Sequence, residues 1–109
     1  MRQENLRIIR RLIKVFGREA AVDKIQEECQ ELALALHQLK CPTKTDKKKL
    51  LADVYGELAD VKIMMRQAEM MFSKKKINKL VNQKLQKKKE KYLIEKDRKA
   101  DALSKHNFK

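Results

Sequence analysis

An all-α fold follows from three properties of the 109-residue chain. It contains only 2 glycines and 1 proline, the residues that punctuate loops and tight turns. Its apolar residues recur at three- and four-residue spacing, the period of a helix with one side turned to a neighbour. The interruptions are few and short, and short connections between long helices make antiparallel neighbours. The predicted architecture is a small antiparallel helical bundle of about four helices.

The first helix is expected over residues 3–16, where Leu6, Ile8, Ile9, Leu12, Ile13 and Phe16 share a face and Gly17 ends the run. A second spans about 18–39, with Ile25, Cys29, Leu32, Leu36 and Leu39 along one side. The segment "KCPTKTD" breaks it, because Pro42 disfavours helix at the preceding residue, and Thr45 or Asp46 can cap the next helix. This third helix runs over roughly 47–72 and carries Leu50, Leu51, Val54, Leu58, Val61, Met64, Met65, Ala68 and Met71. Ser73 is the expected N-cap of a fourth, from about 74 to 96, with Ile77, Leu80, Val81, Leu85 and Tyr92 as its apolar side. Residues 1–97 therefore read as one domain, and 98–109 as a basic, disordered tail.

Hydrophobic content of 42% suffices for a core, but so short a chain buries a modest fraction of its surface. A homo-oligomer, dimer or tetramer, is expected to complete it. No apolar run reaches the roughly 18 residues that span a membrane, and the charged N-terminal pattern is not a secretion signal. The chain reads as cytoplasmic, a compartment in which Cys29 and Cys41, lacking CxxC or Cys/His spacing, stay reduced. His37 and His106 are isolated.

The net charge of +13 is unevenly spread. Residues 1–18 carry +5 and residues 73–109 carry +10, whereas residues 19–72 carry −2. An acidic middle lies between basic ends. Lysine runs at 47–49, 74–76 and 87–89 read as solvated helix faces, with salt-sensitive nucleic-acid binding through the last helix as the rival. At 5% aromatic residues, the chain lacks the interleaved basic–aromatic surface that holds single strands.

The acids of the middle are grouped. In "KIQEECQELALAL" (24–36), Glu27, Glu28 and Glu31 fall within about a 100° sector of one helix. In "YGELADV" (55–61), Glu57 and Asp60 share a face of the next. Helices packed roughly 8–10 Å apart bring such groups together. Four or five carboxylates in one crevice repel unless a cation sits among them, and an oxygen-only set suits Mg²⁺ or Mn²⁺ and not zinc. The competing reading is a solvated acidic face.

Glu-Glu-x-x-Glu at 27–31, followed after 25 residues by Glu-x-x-Asp at 57–60, resembles the signature of the MazG-like, all-α nucleoside triphosphate pyrophosphohydrolases. The flanks "KIQEECQELALAL" and "LADVYGELADVKIMMRQ" resemble that superfamily's two metal-bearing helices, and "NQKLQKKKEKY" (82–92) is similar to its downstream Asn-x-Lys segment. The likeness covers about residues 18–92. It implies conversion of a (d)NTP and water to a (d)NMP and pyrophosphate. It also implies that Glu28, Glu31, Glu57 and Asp60 are the principal Mg²⁺ ligands, while Glu27 binds a second ion or orients the attacking water. Asn82, Lys84 and Lys88 would hold the triphosphate, with Lys87 as a substitute. Relatives tend to have arginine where this chain has Lys87 and Lys88, and lysine lacks the bidentate fork. Lys24 reaches a phosphate or pairs with a neighbouring carboxylate. Met64, Met65, Met70 and Met71 serve core or subunit contact, or shape a base pocket. Phe16 and Tyr55 stack on a base or pack. Family members commonly build their sites at subunit contacts. Two alternatives stand beside the enzyme: a basic helical nucleic-acid-binding protein, and a non-catalytic helical interaction module. The base and sugar are not written in the sequence.

Overall fold

The computed structural model describes residues 1–41 and 46–93. Among these the chain is all-helical, with no strand. The elements are α1 (Gln3–Phe16), α2 (Arg18–Lys40), α3 (Lys47–Met71), α4 (Lys74–Lys88) and a π-helical turn (Lys89–Leu93). They fall into two compact units, Met1–Phe72 and Ser73–Lys109.

Local chemistry sets the boundaries. Gly17 adopts φ 86° and ψ 162°, a conformation open in practice only to glycine. Its N–H donates to the Ile13 carbonyl at 2.9 Å and its carbonyl accepts from Ala21 N–H at 3.1 Å, so one residue closes α1 and opens α2. Asp46 caps α3 as expected, its Oδ1 accepting from Lys48 N–H at 3.0 Å. Ser73 likewise caps α4, its Oγ accepting from Lys76 N–H at 3.2 Å. Pro42 and Thr45 lie outside the described residues, as do the last turn of the predicted fourth helix, the expected tail and His106.

In the first unit α2 and α3 form the main pair, and α1 packs on both. The pair is antiparallel: Gln67, late in α3, bonds to Ala21 at the start of α2, while Glu28 further along α2 meets Glu57 and Asp60. Leu6 and Ile9 of α1, Ala21 and Ala35 of α2, and Leu50, Val54 and Met64 of α3 are buried.

The inward faces differ from the expected ones. Cys29 and Leu36 of α2 are exposed, as are Ile8, Leu12 and Phe16 of α1 and Leu58 and Met65 of α3. The inner line of α2 is Ala21, Glu28 and Ala35, residues seven apart and therefore stacked on one side after two turns. Ala21 meets α3 through the bond from Gln67, and Ala35, two turns beyond Glu28, is buried as well. Phe72 is half exposed, with the Arg18 guanidinium 5.3 Å from its ring centre.

The second unit has no buried residue among those described, and Leu80, Val81, Leu85, Tyr92 and Leu93 are exposed. Its α-helix ends at Lys88, earlier than predicted, and passes into the wider turn 89–93. No described helix is long and apolar enough to cross a membrane.

Gly56 lies inside α3, and a Cβ built there meets nothing within 4 Å. Gly56→Ala is expected to stabilise the protein by about 1 kcal/mol through helix propensity alone. A thermal melt should show this as a rise of about 4–8 °C.

Candidate metal centre

Glu28 is the centre of the site. Its place on the inner line between Ala21 and Ala35 carries a carboxylate into the α2–α3 contact, where the residue is only 5% exposed. Glu57 and Asp60, one turn apart on α3, approach it from the other helix, Glu57 partly buried and Asp60 exposed. Glu27 and Glu31 flank it on α2.

The result is two overlapping groups, Glu27–Glu28–Glu31 and Glu28–Glu57–Asp60, with Glu28 common to both. Within each, one oxygen per residue lies within 4.8 Å of the others. Octahedral magnesium, with bonds of about 2.0–2.1 Å, places opposite ligand oxygens about 4.2 Å apart. Each group is therefore of a size that a divalent cation could bridge, and its all-oxygen donors are of the kind such a cation takes.

The hydrogen bonding points the same way. Glu28 Oε1 accepts a salt bridge from Lys24 Nζ at 3.2 Å, and Glu27 Oε2 lies 3.4 Å from the same ammonium. Glu28 Oε2 and Glu57 Oε2 are buried with no hydrogen-bond partner. Buried carboxylate oxygens without a donor are costly, and a bound cation removes that cost.

The electrostatics follow from this crowding. The Glu31 carboxyl is held above its ordinary range, chiefly by the charge of Glu28, then by partial desolvation and by Glu57 and Glu27, with Lys24 opposing. The Lys24 ammonium is held above its ordinary value by its bonds to Glu28 and Glu27, so it stays charged at neutral pH. In the unfolded chain Glu31 loses its proton at a lower pH than in the fold. Between the two values the folded state holds more protons, and stability falls as pH rises. Metal-free protein should therefore lose melting temperature from the ordinary carboxylate range up through the raised one. Melts in chelator of wild type and Glu31→Gln check this: their difference should carry the slope, and saturating Mg²⁺ should flatten it.

Of the remaining predicted residues, Lys24 stands beside the acids. Asn82, Lys84, Lys87 and Lys88 are exposed on α4 in the second unit. Cys29 and Cys41 are free, and Cys41 Sγ lies 3.4 Å from His37 Nε2.

Gln67 is a buried polar residue that no sequence motif singles out. It is 4% exposed, and its Nε2 donates to the Ala21 carbonyl at 3.3 Å. The one signal was its position, a polar residue on the stripe that runs through Met64, Ala68 and Met71. Gln67 lines a groove of about 410 Å³ with Leu12, Phe16, Ala20, Ala21, Lys24 and Met64.

Comparison with protein-family models, with curated proteins and with solved structures found no match.

Proposed function

We propose that the chain is a MazG-like, Mg²⁺- or Mn²⁺-dependent nucleoside triphosphate pyrophosphohydrolase. The observation that carries this reading is the buried Glu28 carboxylate, shared by two acidic groups and left with an unpartnered oxygen. Glu28, Glu31, Glu57 and Asp60 would hold the cation. When bound, the cation neutralises charge on the phosphates and activates water for in-line attack.

Water oxygen adds to the α-phosphorus, the α–β bridging bond breaks, and pyrophosphate departs with the bond's electron pair. Glu27, half exposed and 3.4 Å from the Lys24 ammonium, would bind a second ion or orient the water and take its proton. Lys24 is the cation that the first unit itself offers to phosphate oxygens. The triphosphate roles that the resemblance gives Asn82, Lys84, Lys87 and Lys88 belong to the second unit, where α4 displays them to solvent.

A homodimer or tetramer would cover apolar side chains that one chain leaves open, among them Val15 at 70% and Phe16 at 66% exposure. A second reading draws on α4 and its following turn, whose nine lysines against one glutamate suit nucleic-acid backbones.

Pyrophosphate release from the eight common nucleoside triphosphates, with and without Mg²⁺ or Mn²⁺, tests the proposal. Metal-dependent release is expected, and Asp60→Asn should lower kcat/KM at least about 100-fold. No release, together with a salt-sensitive shift of duplex DNA that ignores Asp60→Asn, would establish the second reading instead. No release and no DNA shift would leave a non-catalytic interaction module.

A further inference from the structure

We infer that α4 is a membrane-surface helix, which lies in the interface of an anionic lipid bilayer with its apolar stripe turned into the lipid. It would do so whether or not the first unit hydrolyses nucleotides.

α4 is amphipathic in sequence yet buries nothing: neither it nor the turn after it has a buried residue. Ile77, Leu80, Val81 and Leu85 recur at i, i+3, i+4 and i+8. At 100° per residue they fill a sector of about 140°. Three of them stand open to solvent, Leu80 at 53%, Val81 at 45% and Leu85 at 59% exposure. Tyr92 and Leu93 of the following turn are exposed as well. Lys75 and Lys79 lie on the side opposite the stripe. Lys84 and Lys88 emerge within it, where long methylene stems can follow apolar surface and carry their ammonium groups outward. In all, residues 74–93 hold nine lysines and one glutamate.

Charge and apolar area together select the occupant. A nucleic-acid backbone answers the lysines but leaves Leu80, Val81 and Leu85 in water. A second α4 would cover the leucines but set two lysine-rich helices side by side. An anionic bilayer surface meets both needs at once: apolar side chains enter the acyl boundary, and ammonium groups meet the lipid phosphates. α4 has 15 residues, a length of roughly 22 Å, and lies along the surface. It does not cross, since no described helix is long and apolar enough to do so.

Co-sedimentation of the full chain with lipid vesicles is the test. Binding to phosphatidylcholine vesicles containing about one-third phosphatidylserine should be at least about tenfold tighter than to phosphatidylcholine alone. Leu80→Gln combined with Leu85→Gln keeps good helix formers at both positions and should weaken that binding about tenfold or more. The chain has no tryptophan, so a single introduced one reports its own position. The emission of Leu85→Trp should shift to the blue on the charged vesicles, and that of Gln86→Trp, on the opposite side, should not. If the double glutamine variant does not fold, the tryptophan pair decides alone. No preference for charged vesicles, binding that survives loss of both leucines, or equal shifts at the two tryptophans would overturn the inference. A shift of duplex DNA without vesicle binding would overturn it in favour of the nucleic-acid reading.

Discussion

Glu28→Gln is expected to stabilise the metal-free protein and to abolish its response to divalent cations. The two effects have one origin. In the fold the Glu28 carboxylate is buried, one of its oxygens has no donor, and Glu31, Glu57 and Asp60 stand around it. Glutamine keeps the shape, removes the charge and brings N–H donors to the neighbouring oxygens. What is lost is an ion pair to a half-exposed lysine, which solvent screens strongly. The net gain should be about 1 kcal/mol.

Cation binding runs the other way. A ligand present at 100 times its dissociation constant adds about 2.7 kcal/mol to the wild type, or about 10 °C or more in a domain of this size. Glu28→Gln should lose that increment, and with it at least about 100-fold in kcat/KM for pyrophosphate release. Melting curves with and without Mn²⁺ are the measurement. A variant that melts lower than wild type in chelator, or that keeps the Mn²⁺ increment, contradicts the assignment.

Ile9→Ala is expected to cost about 3 kcal/mol and to lower the melting temperature by about 12 °C or more. Ile9 is the least exposed of the buried apolar side chains, at 3%, and it anchors α1 to the α2–α3 pair. The core it belongs to is small: besides Ile9 it comprises Leu6, Ala21, Ala35, Leu50, Val54 and Met64. Two of these are alanines, so each large member holds an unusual share of the total stability. Val15, 70% exposed, is the control. Val15→Ser should move stability by no more than about 0.5 kcal/mol in an isolated chain. A much larger loss, together with dissociation seen by light scattering, would mean that a second subunit covers it.

Much of the fold was legible because helices advertise themselves by period and by cap. Asp46 and Ser73 are polar residues before long periodic runs, and both bond the N–H groups that such positions expose. Glu28, Glu57 and Asp60 were legible as neighbours because spacing within a helix is rigid and a short connection makes antiparallel partners.

The inward side of each helix was harder to read. In α2 apolar residues wrap far round the cylinder, through Leu32, Leu34 and Leu36, so period alone cannot distinguish the side that meets α3. The buried small residues of that side are Ala21 and Ala35, whose size suits close packing and whose weak hydrophobicity hides them. Cys29 and Leu36, larger and more apolar, lie away from the neighbour. Gln67 escaped for a related reason: its importance comes from an acceptor 46 positions earlier, and no local pattern announces that pairing.

The salt bridges of Lys24 bear on how the protein is made ready for work. Where a site is only a ring of negative groups, the chain depends on its ion to reach the native state, and chelation unfolds it. Here a tethered ammonium already answers part of the negative field before any ion arrives. Under the proposed metal binding, the chain would not need an ion to reach its native state, and loading would be an exchange in which one positive group steps aside for another.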